Sequence, residues 1–369
     1  MSLIEKINDP KDIKEMDIKE LNDLAGDVRE IIIKKVSKTG GHMGPNLGFI
    51  EPTIAMHYVF NSPVDKIVYD VSHQCYTHKI LTGRKDNFID EEKYEDISGY
   101  TNPHESKHDF FQIGHTSTSI SLATGLAKAR DVKNEKGNVI AVIGDGSLTG
   151  GEAYEGLNNA AVLNSNIIIV VNDNEMSIAK NQGGLVGHLD TLRKTNGKSE
   201  CNMFKALGFD YYYVEDGNDV ESLINTFKAV KDTNKPVVVH IHTNKGKGYK
   251  FAEENKEAGH WVMPSDFDYS KMPKESYSSI LADFISKKCE NNEPFVGITA
   301  ATPTVCGFTP DLREKLGKHY VDVGIAEQHA VALASGIAKN GGRPIFGVYS
   351  SFIQRTYDQL SQDLALNNN

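Results

Sequence analysis

Gly144-Asp145-Gly146 ends the apolar run Val139-Ile140-Ala141-Val142-Ile143, and Asn172-Asp173-Asn174 ends the run Ile167-Ile168-Ile169-Val170-Val171. Short apolar runs stopped by polar clusters read as buried parallel strands, here with room for one helix between them. The carboxyl ends of such strands share one sheet edge, where ligands bind. Asp145 and Asn174 then stand side by side and present hard oxygens. That chemistry suits Mg²⁺ holding a phosphate, with few protein ligands and the rest from substrate and water. A dinucleotide-binding turn competes for the glycines and fails. The third glycine, Gly150, is one place too late for G-x-G-x-x-G, and an acid stands where pyrophosphate must approach the backbone.

The elements that must position these residues follow from periodicity. Leu21, Leu24, Val28, Ile31, Ile32 and Val36 mark one face of a helix from Asp17 to about Lys38. Asp17 and Glu20 make a capping box, and Thr39-Gly40-Gly41 is the stop. His42 follows in a glycine-rich loop, and a second helix is predicted from Glu51 to Val59. Lys66 to Val71 reads as a strand leading into Ser72-His73-Gln74-Cys75-Tyr76. The polar stretch from about Arg84 to Phe111 reads as a surface excursion with the length of an active-site cover. Gly114 to Ser119 opens the helix carrying Ala123 to Ala129. Pro236 to Ile241 is a further strand, ending at Thr243-Asn244-Lys245-Gly246-Lys247-Gly248-Tyr249.

This alternation predicts an α/β protein with doubly wound, mostly parallel sheets. Met263-Pro264-Ser265-Asp266 and Lys271-Met272-Pro273-Lys274 mark a boundary, giving domains of residues 1–270 and 276–369. The second repeats the pattern with strands at Phe295 to Ala301, Tyr320 to Ile325 and Arg343 to Ser350. A chain of 369 residues is long enough for two such cores, and its net charge of −10 argues against nucleic acid or an anionic membrane as main partner. Cys75, Cys201, Cys289 and Cys306 form no C-x-x-C and read as free thiols. With no leader and no membrane-spanning apolar run, the expected location is cytoplasmic.

Glu327 lies in Asp322-Val323-Gly324-Ile325-Ala326-Glu327-Gln328-His329-Ala330, an acid just after a strand and at the opening of a helix. Helix-dipole stabilisation alone would account for an acid there. The spacing of the two triplets, however, resembles the thiamine-diphosphate signature of the transketolase superfamily, and the Glu327 segment resembles that family's catalytic glutamate. The resemblance implies that Asp145, Asn174 and the Met176 carbonyl hold Mg²⁺. It also implies that the Glu327 carboxyl faces the cofactor's aminopyrimidine.

Val71 to Arg84, Gly114 to Ser121, Asn172 to Ile178 and Tyr349 to Gln359 are similar to the 1-deoxy-D-xylulose-5-phosphate synthase family in particular. The likeness covers nearly the whole chain, in order. It implies condensation of pyruvate with glyceraldehyde 3-phosphate, with loss of CO₂, in isoprenoid, thiamine and pyridoxal precursor synthesis. It further implies that His73, Gly114, His115, Thr116, Gly146, Ser147 and Tyr249 hold thiamine diphosphate. Ile178 would support its bent form and Phe352 would stack on the pyrimidine. His42 and His260 would face the reacting carbon, and Tyr349 and Arg355 would line the substrate pocket. His57, His188 and His319 are expected to be ordinary core or surface residues.

The family pattern continues past residue 369 through more of the second domain and a third. The expectation is therefore a partial pyrimidine-binding domain, with no carboxyl-terminal domain, in a fragment, a truncated product or one half of a two-chain enzyme. A homodimer is expected. Two departures concern substrate choice. The segment from Gly183 to about Cys201 is short for the family, and Pro45 stands where a serine is common, as in transketolases, leaving two-carbon ketol transfer between sugar phosphates as the alternative.

Overall fold

The computed structural model describes residues 3–271, 273, 275–291 and 293–369. Met272 and Lys274, part of the expected boundary, lie outside the described residues. The chain divides into two units. One comprises Met1–Met176 with Gly187–Phe267; the other comprises Ser177–Val186 with Asp268–Asn369. The expected division at the 264–276 stretch differs in one respect, since it leaves 177–186 with the amino-terminal part.

In chain order the main elements are α1 (Ile18–Thr39), α2 (Ile50–Val59), β1 (Lys66–Tyr69), α3 (Ser119–Val132), β2 (Val139–Gly144), α4 (Gly151–Ala160), β3 (Ile167–Asp173), α5 (Gly184–Lys194), β4 (Asp210–Val214), α6 (Val220–Val230), β5 (Pro236–His242), α7 (Tyr277–Glu290), β6 (Phe295–Thr299), β7 (Tyr320–Asp322), α8 (Glu327–Lys339) and β8 (Arg343–Gly347). The first unit holds a five-stranded sheet in the order β1-β2-β3-β5-β4, parallel throughout. The second holds a parallel three-stranded sheet, β7-β6-β8.

Apolar β-branched residues make β2, β3 and β5 interior strands, as expected of a sheet covered on both faces. α1, α2 and α6 pack over one face through Leu21, Leu24, Ile54, Leu223 and Phe227, all fully buried. The Asp17 capping box forms: Asp17 accepts from the Glu20 amide, and Glu20 accepts from the Asp17 amide. β1 ends at Tyr69, two residues short of expectation, because Val71 and Ser72 take positive φ of 59° and 66° and turn the chain out of the sheet. Positive φ at a β-branched residue is costly and marks a constrained turn.

The 84–111 excursion runs largely at the surface, as expected, and is anchored inside at a few points. Arg84, Phe88, Tyr94, Thr101, His108 and Asp109 are buried. The buried Lys35 ammonium on α1 donates to the Asn87 and Tyr94 carbonyls at 2.8 and 2.6 Å. The acidic run Glu91-Glu92 with Glu95-Asp96 is exposed, whereas buried Arg84 and Asp109 pair with each other. β4 has no counterpart in the expectations: Asp210-Tyr211-Tyr212-Tyr213-Val214 is an edge strand of alternating, mostly incomplete burial. None of the four cysteines is disulfide-bonded. No helix among the described residues is long and apolar enough to cross a membrane.

Candidate functional site

β2 and β3 pair with Gly144 opposite Asn172. The main-chain ladder then continues one step, the Asp145 amide donating to the Asn172 carbonyl at 3.1 Å. Sheet pairing thus brings the two triplets together. Asp145 Oδ1 accepts from the Gly146 amide at 2.8 Å, and Oδ2 from the Asn174 amide at 3.2 Å. Asn174 Oδ1 accepts from the Met176 amide at 3.2 Å. Burial, and then the charge of neighbouring Asp173, raise the Asp145 carboxyl well above the usual range. A desolvated carboxylate beside a second acid is short of positive charge, and a cation would supply it. Carboxylate, amide and carbonyl oxygens at two adjoining strand ends are the donor set of a hard divalent ion, so these residues fit Mg²⁺.

Asp173, fully buried, faces protein donors instead. It accepts from Arg193 Nη1 on α5 at 2.5 Å and from His240 Nε2 on β5 at 2.9 Å. Burial alone would raise this carboxyl, but His240 and Arg193 outweigh it and hold it low. Because His240 Nε2 carries the proton, its Nδ1 accepts from the Tyr211 hydroxyl at 2.7 Å.

A second cluster lies at the glycine-rich loops. The His42, His73 and His260 rings meet with centroids 5.1, 5.5 and 5.4 Å apart, and Tyr100 stands 5.9 Å from His42. An antiparallel bridge between Gly41 and Val262, plus the Gly44 amide donating to the Gly259 carbonyl at 2.8 Å, joins the His42 and His260 loops. Asn46 Nδ2 donates to the carbonyls of His42 and His73, at 2.7 and 2.8 Å, and Asn46 Oδ1 accepts from the Tyr76 amide at 3.0 Å. One buried amide therefore fixes two of the three histidine loops.

Burial, then the charge of Lys245, push His42 down to about 4. Burial, then His42 and Lys245, push His73 well below its usual value. Both are neutral near pH 7 and able to accept a proton. Burial lowers Lys245 itself to about 7, against the attraction of Asp145. Its ammonium is the charge common to the Asp145 site and the histidines. Gly246, at φ +83°, lets the loop pass Ala252, where a Cβ would lie 2.7 Å from the alanine Cβ.

Asp70 organises the turns expected to grip a diphosphate. Its oxygens accept from the Ser117 and Ser119 amides at 2.8 and 2.9 Å, while Ser117 Oγ donates to the Ser147 carbonyl at 2.8 Å. Gly114 is exposed, His115 and Thr116 are half-buried, and Gly146 and Ser147 are buried beside Asp145. Tyr249 packs its ring on the core edge. Ile178 is half-buried in the 177–186 segment.

In the second unit Glu327 is the first residue of α8 and is buried. Its Oε2 lies 3.5 Å from Arg355 Nη1. Tyr349 and Phe352 follow β8 with ring centroids 5.3 Å apart, edge to face. Asp322 Oδ1 accepts from the Ala301 and Gly324 amides at 2.9 and 3.0 Å and so fixes the turn leading to Glu327.

Asn46, Asp70, Asp173, Arg193, His240 and Lys245 were not singled out by the sequence reading. Asp70 carried a usable signal, an acid directly after Ile67-Val68-Tyr69, like Asp145 after its own apolar run. Lys245 carried another, between a strand end and Gly246.

The family described as 1-deoxy-D-xylulose-5-phosphate synthase matches residues 4–202 and 195–243, and the transketolase pyrimidine-binding domain matches residues 274–369. The 1-deoxy-D-xylulose-5-phosphate synthase of Caldanaerobacter subterraneus subsp. tengcongensis is 42% identical over 403 residues, covering 99% of this chain and 65% of the relative. 1-Deoxy-D-xylulose-5-phosphate synthase 1 of Geobacter metallireducens is 42% identical over 408 residues, covering 100% of this chain and 65% of that one. The chain thus spans just under two thirds of the length of these relatives. Among solved structures, transketolase from Campylobacter jejuni aligns with a TM-score of 0.55 at 16% identity, covering 93% of this chain and 67% of that one. That likeness shows the fold, a transketolase-like α/β arrangement. On the sequence matches, the chain belongs to the 1-deoxy-D-xylulose-5-phosphate synthase family.

Proposed function

We propose that this chain carries the thiamine-diphosphate and Mg²⁺ site of an enzyme that condenses pyruvate with glyceraldehyde 3-phosphate to 1-deoxy-D-xylulose 5-phosphate and CO₂. The observation that carries the reading is the ladder-fixed pair Asp145 and Asn174, with buried Asp145 feeling the charge of Lys245, which His42 and His73 feel too. When bound, thiamine diphosphate supplies a nucleophilic carbon and an electron sink. Asp145, Asn174 and the Met176 carbonyl would hold Mg²⁺. His73, Gly114, His115, Thr116, Gly146, Ser147 and Tyr249 would surround the diphosphate, with Lys245 adding charge. Ile178 would support the bound conformation. Glu327 would hold a proton at the pyrimidine and Phe352 would stack on that ring. His42 and His260 would move protons at the reacting carbon, with His42 held in its neutral form at neutral pH. Tyr349 and Arg355 would line the substrate pocket.

The domain assignment proposed is a diphosphate- and metal-binding domain over 1–270 and pyrimidine-binding residues over 276–369, in a cytoplasmic homodimer. Calorimetric titration with thiamine diphosphate and Mg²⁺ tests the site: saturable, Mg²⁺-dependent binding is expected, and none by the folded chain would sink it. Release of CO₂ from pyruvate, assayed with the remainder of a family member's sequence supplied, separates the reading from ketol transfer between sugar phosphates.

A further inference from the structure

A second buried polar chain lies outside the residues assigned above. His57 Nε2 and His78 Nδ1 are 2.8 Å apart, and His78 Nε2 is 2.9 Å from Asp109 Oδ1. Arg84 grips Asp109 with two parallel bonds, Nη1 to Oδ2 at 2.7 Å and Nη2 to Oδ1 at 2.9 Å. The Asn102 amide donates to Oδ2 at 2.8 Å. Every partner of Asp109 is therefore a donor, and only an ionised carboxylate, accepting on both oxygens, satisfies them. Burial opposes that charge, but His78 and Arg84 outweigh it and keep the carboxyl low.

The geometry fixes both tautomers. His78 must carry its proton on Nε2, so its Nδ1 accepts from His57 Nε2–H. His57 Nδ1 is left as a buried lone pair without a hydrogen-bond partner among the described residues.

This hub sits where two segments of the candidate site are tied. His78 lies in the short helix Tyr76–Lys79, directly after His73. Asn102 neighbours Thr101, whose amide donates to Ser72 Oγ at 3.0 Å, and Ser72 Oγ donates to the Ile113 carbonyl at 3.0 Å. Tyr100, next in line, stands against His42. From these contacts we infer that Asp109, with Arg84 and His78, is a positioning centre that sets His73, Tyr100 and the entry to the Gly114-His115-Thr116 turn. The consequence for cofactor binding rests on the function proposed above.

The test is ¹⁵N-histidine NMR of the full chain, with Asp109→Asn as the variant. An asparagine amide must face at least one of the four donors, so the cheapest relief is for His78 to move its proton to Nδ1. The expected result is the Nε2–H tautomer at His78 and His57 in the unaltered chain, inversion at both rings in Asp109→Asn because His57 Nε2 must then accept from His78 Nδ1–H, and displaced His73 and His42 ring signals. Mg²⁺-dependent affinity for thiamine diphosphate should fall roughly 10-fold, as for other orienting partners of a site. If Asp109→Asn does not fold, Arg84→Lys carries the same readout, with smaller displacements of the same signals. Unmoved His73 and His42 signals in whichever variant is folded would overturn the inference. Failure of the unaltered chain to bind the cofactor would instead count against the proposed function, and the ring signals would still decide this one.

Discussion

Asp145 and Glu327 are both buried acids just past a strand, yet the sheets beneath them differ. β3 is buried along nearly its whole length, whereas none of the three residues of β7 is fully buried, and β8 is buried only at Gly347. Asp145 is held by two main-chain donors, with Asp173 beside it hydrogen-bonded to Arg193 and His240. Glu327 has the first turn of α8 and one guanidinium at 3.5 Å. A fully covered sheet can fix an acid through its own ladder, while a partly covered one must use a helix end and a long cation. The charge at Asp145 is therefore organised before any ligand arrives.

The largest expected effect tests that contrast directly. Amides of β2, β3 and β5 should exchange with deuterium about 100-fold or more slowly than those of β7 and β8, since opening free energy follows local burial. Equal protection in the two sheets would break the comparison. Next, Asp145→Ala should abolish Mg²⁺-dependent thiamine diphosphate binding while the far-UV circular dichroism stays unchanged. Retained affinity would show that the ladder-fixed acid is not the metal ligand.

A third expectation concerns the histidine cluster. His42 is lowered from 6.5 to about 4, so the folded chain binds fewer protons than the unfolded one between those values. Stability is unaffected above pH 6.5 and falls as pH drops through that window. At pH 5 the loss from His42 should be about 2 kcal/mol. Denaturant titrations at pH 7 and pH 5 should show His42→Gln losing less on acidification than the unaltered chain; an equal loss would place the titration elsewhere. The smallest effect is Asp17→Ala, which removes one cap from α1 and should cost ~1 kcal/mol of unfolding free energy by the same titration.

The two triplets were legible because each directly follows an apolar run, and the Asp17 box because a cap is a local pattern. Asp322, Gly324 and Glu327 were legible for the same reason. The buried polar groups were not. Arg84, Lys35 and Asp109 read as solvent-loving by hydropathy, and only partners tens of residues away, each other for Arg84 and Asp109 and two carbonyls for Lys35, show why they are inside. Arg193, Asp173 and His240 come from three elements with no shared motif. Family likeness implied His42 and His260 at one carbon and His73 on the cofactor, but not that the three rings meet; nothing in periodicity brings three separate loops to one point. β4 escaped notice because its tyrosines alternate without a buried apolar run.

The bond from the Asp145 amide to the Asn172 carbonyl has an engineering consequence. The separation of Asp145 and Asn174 is metered by strand pairing, not by the chain that joins β2 to β3. That connection turns at exposed Val162 and Asn164, the latter at φ +48°. Lengthening the turn there adds only a slowly growing entropic term. A reporter spliced in at Asn164, or a circular permutation opened there, should leave Asp145 and Asn174 in register, because the ruler is the sheet.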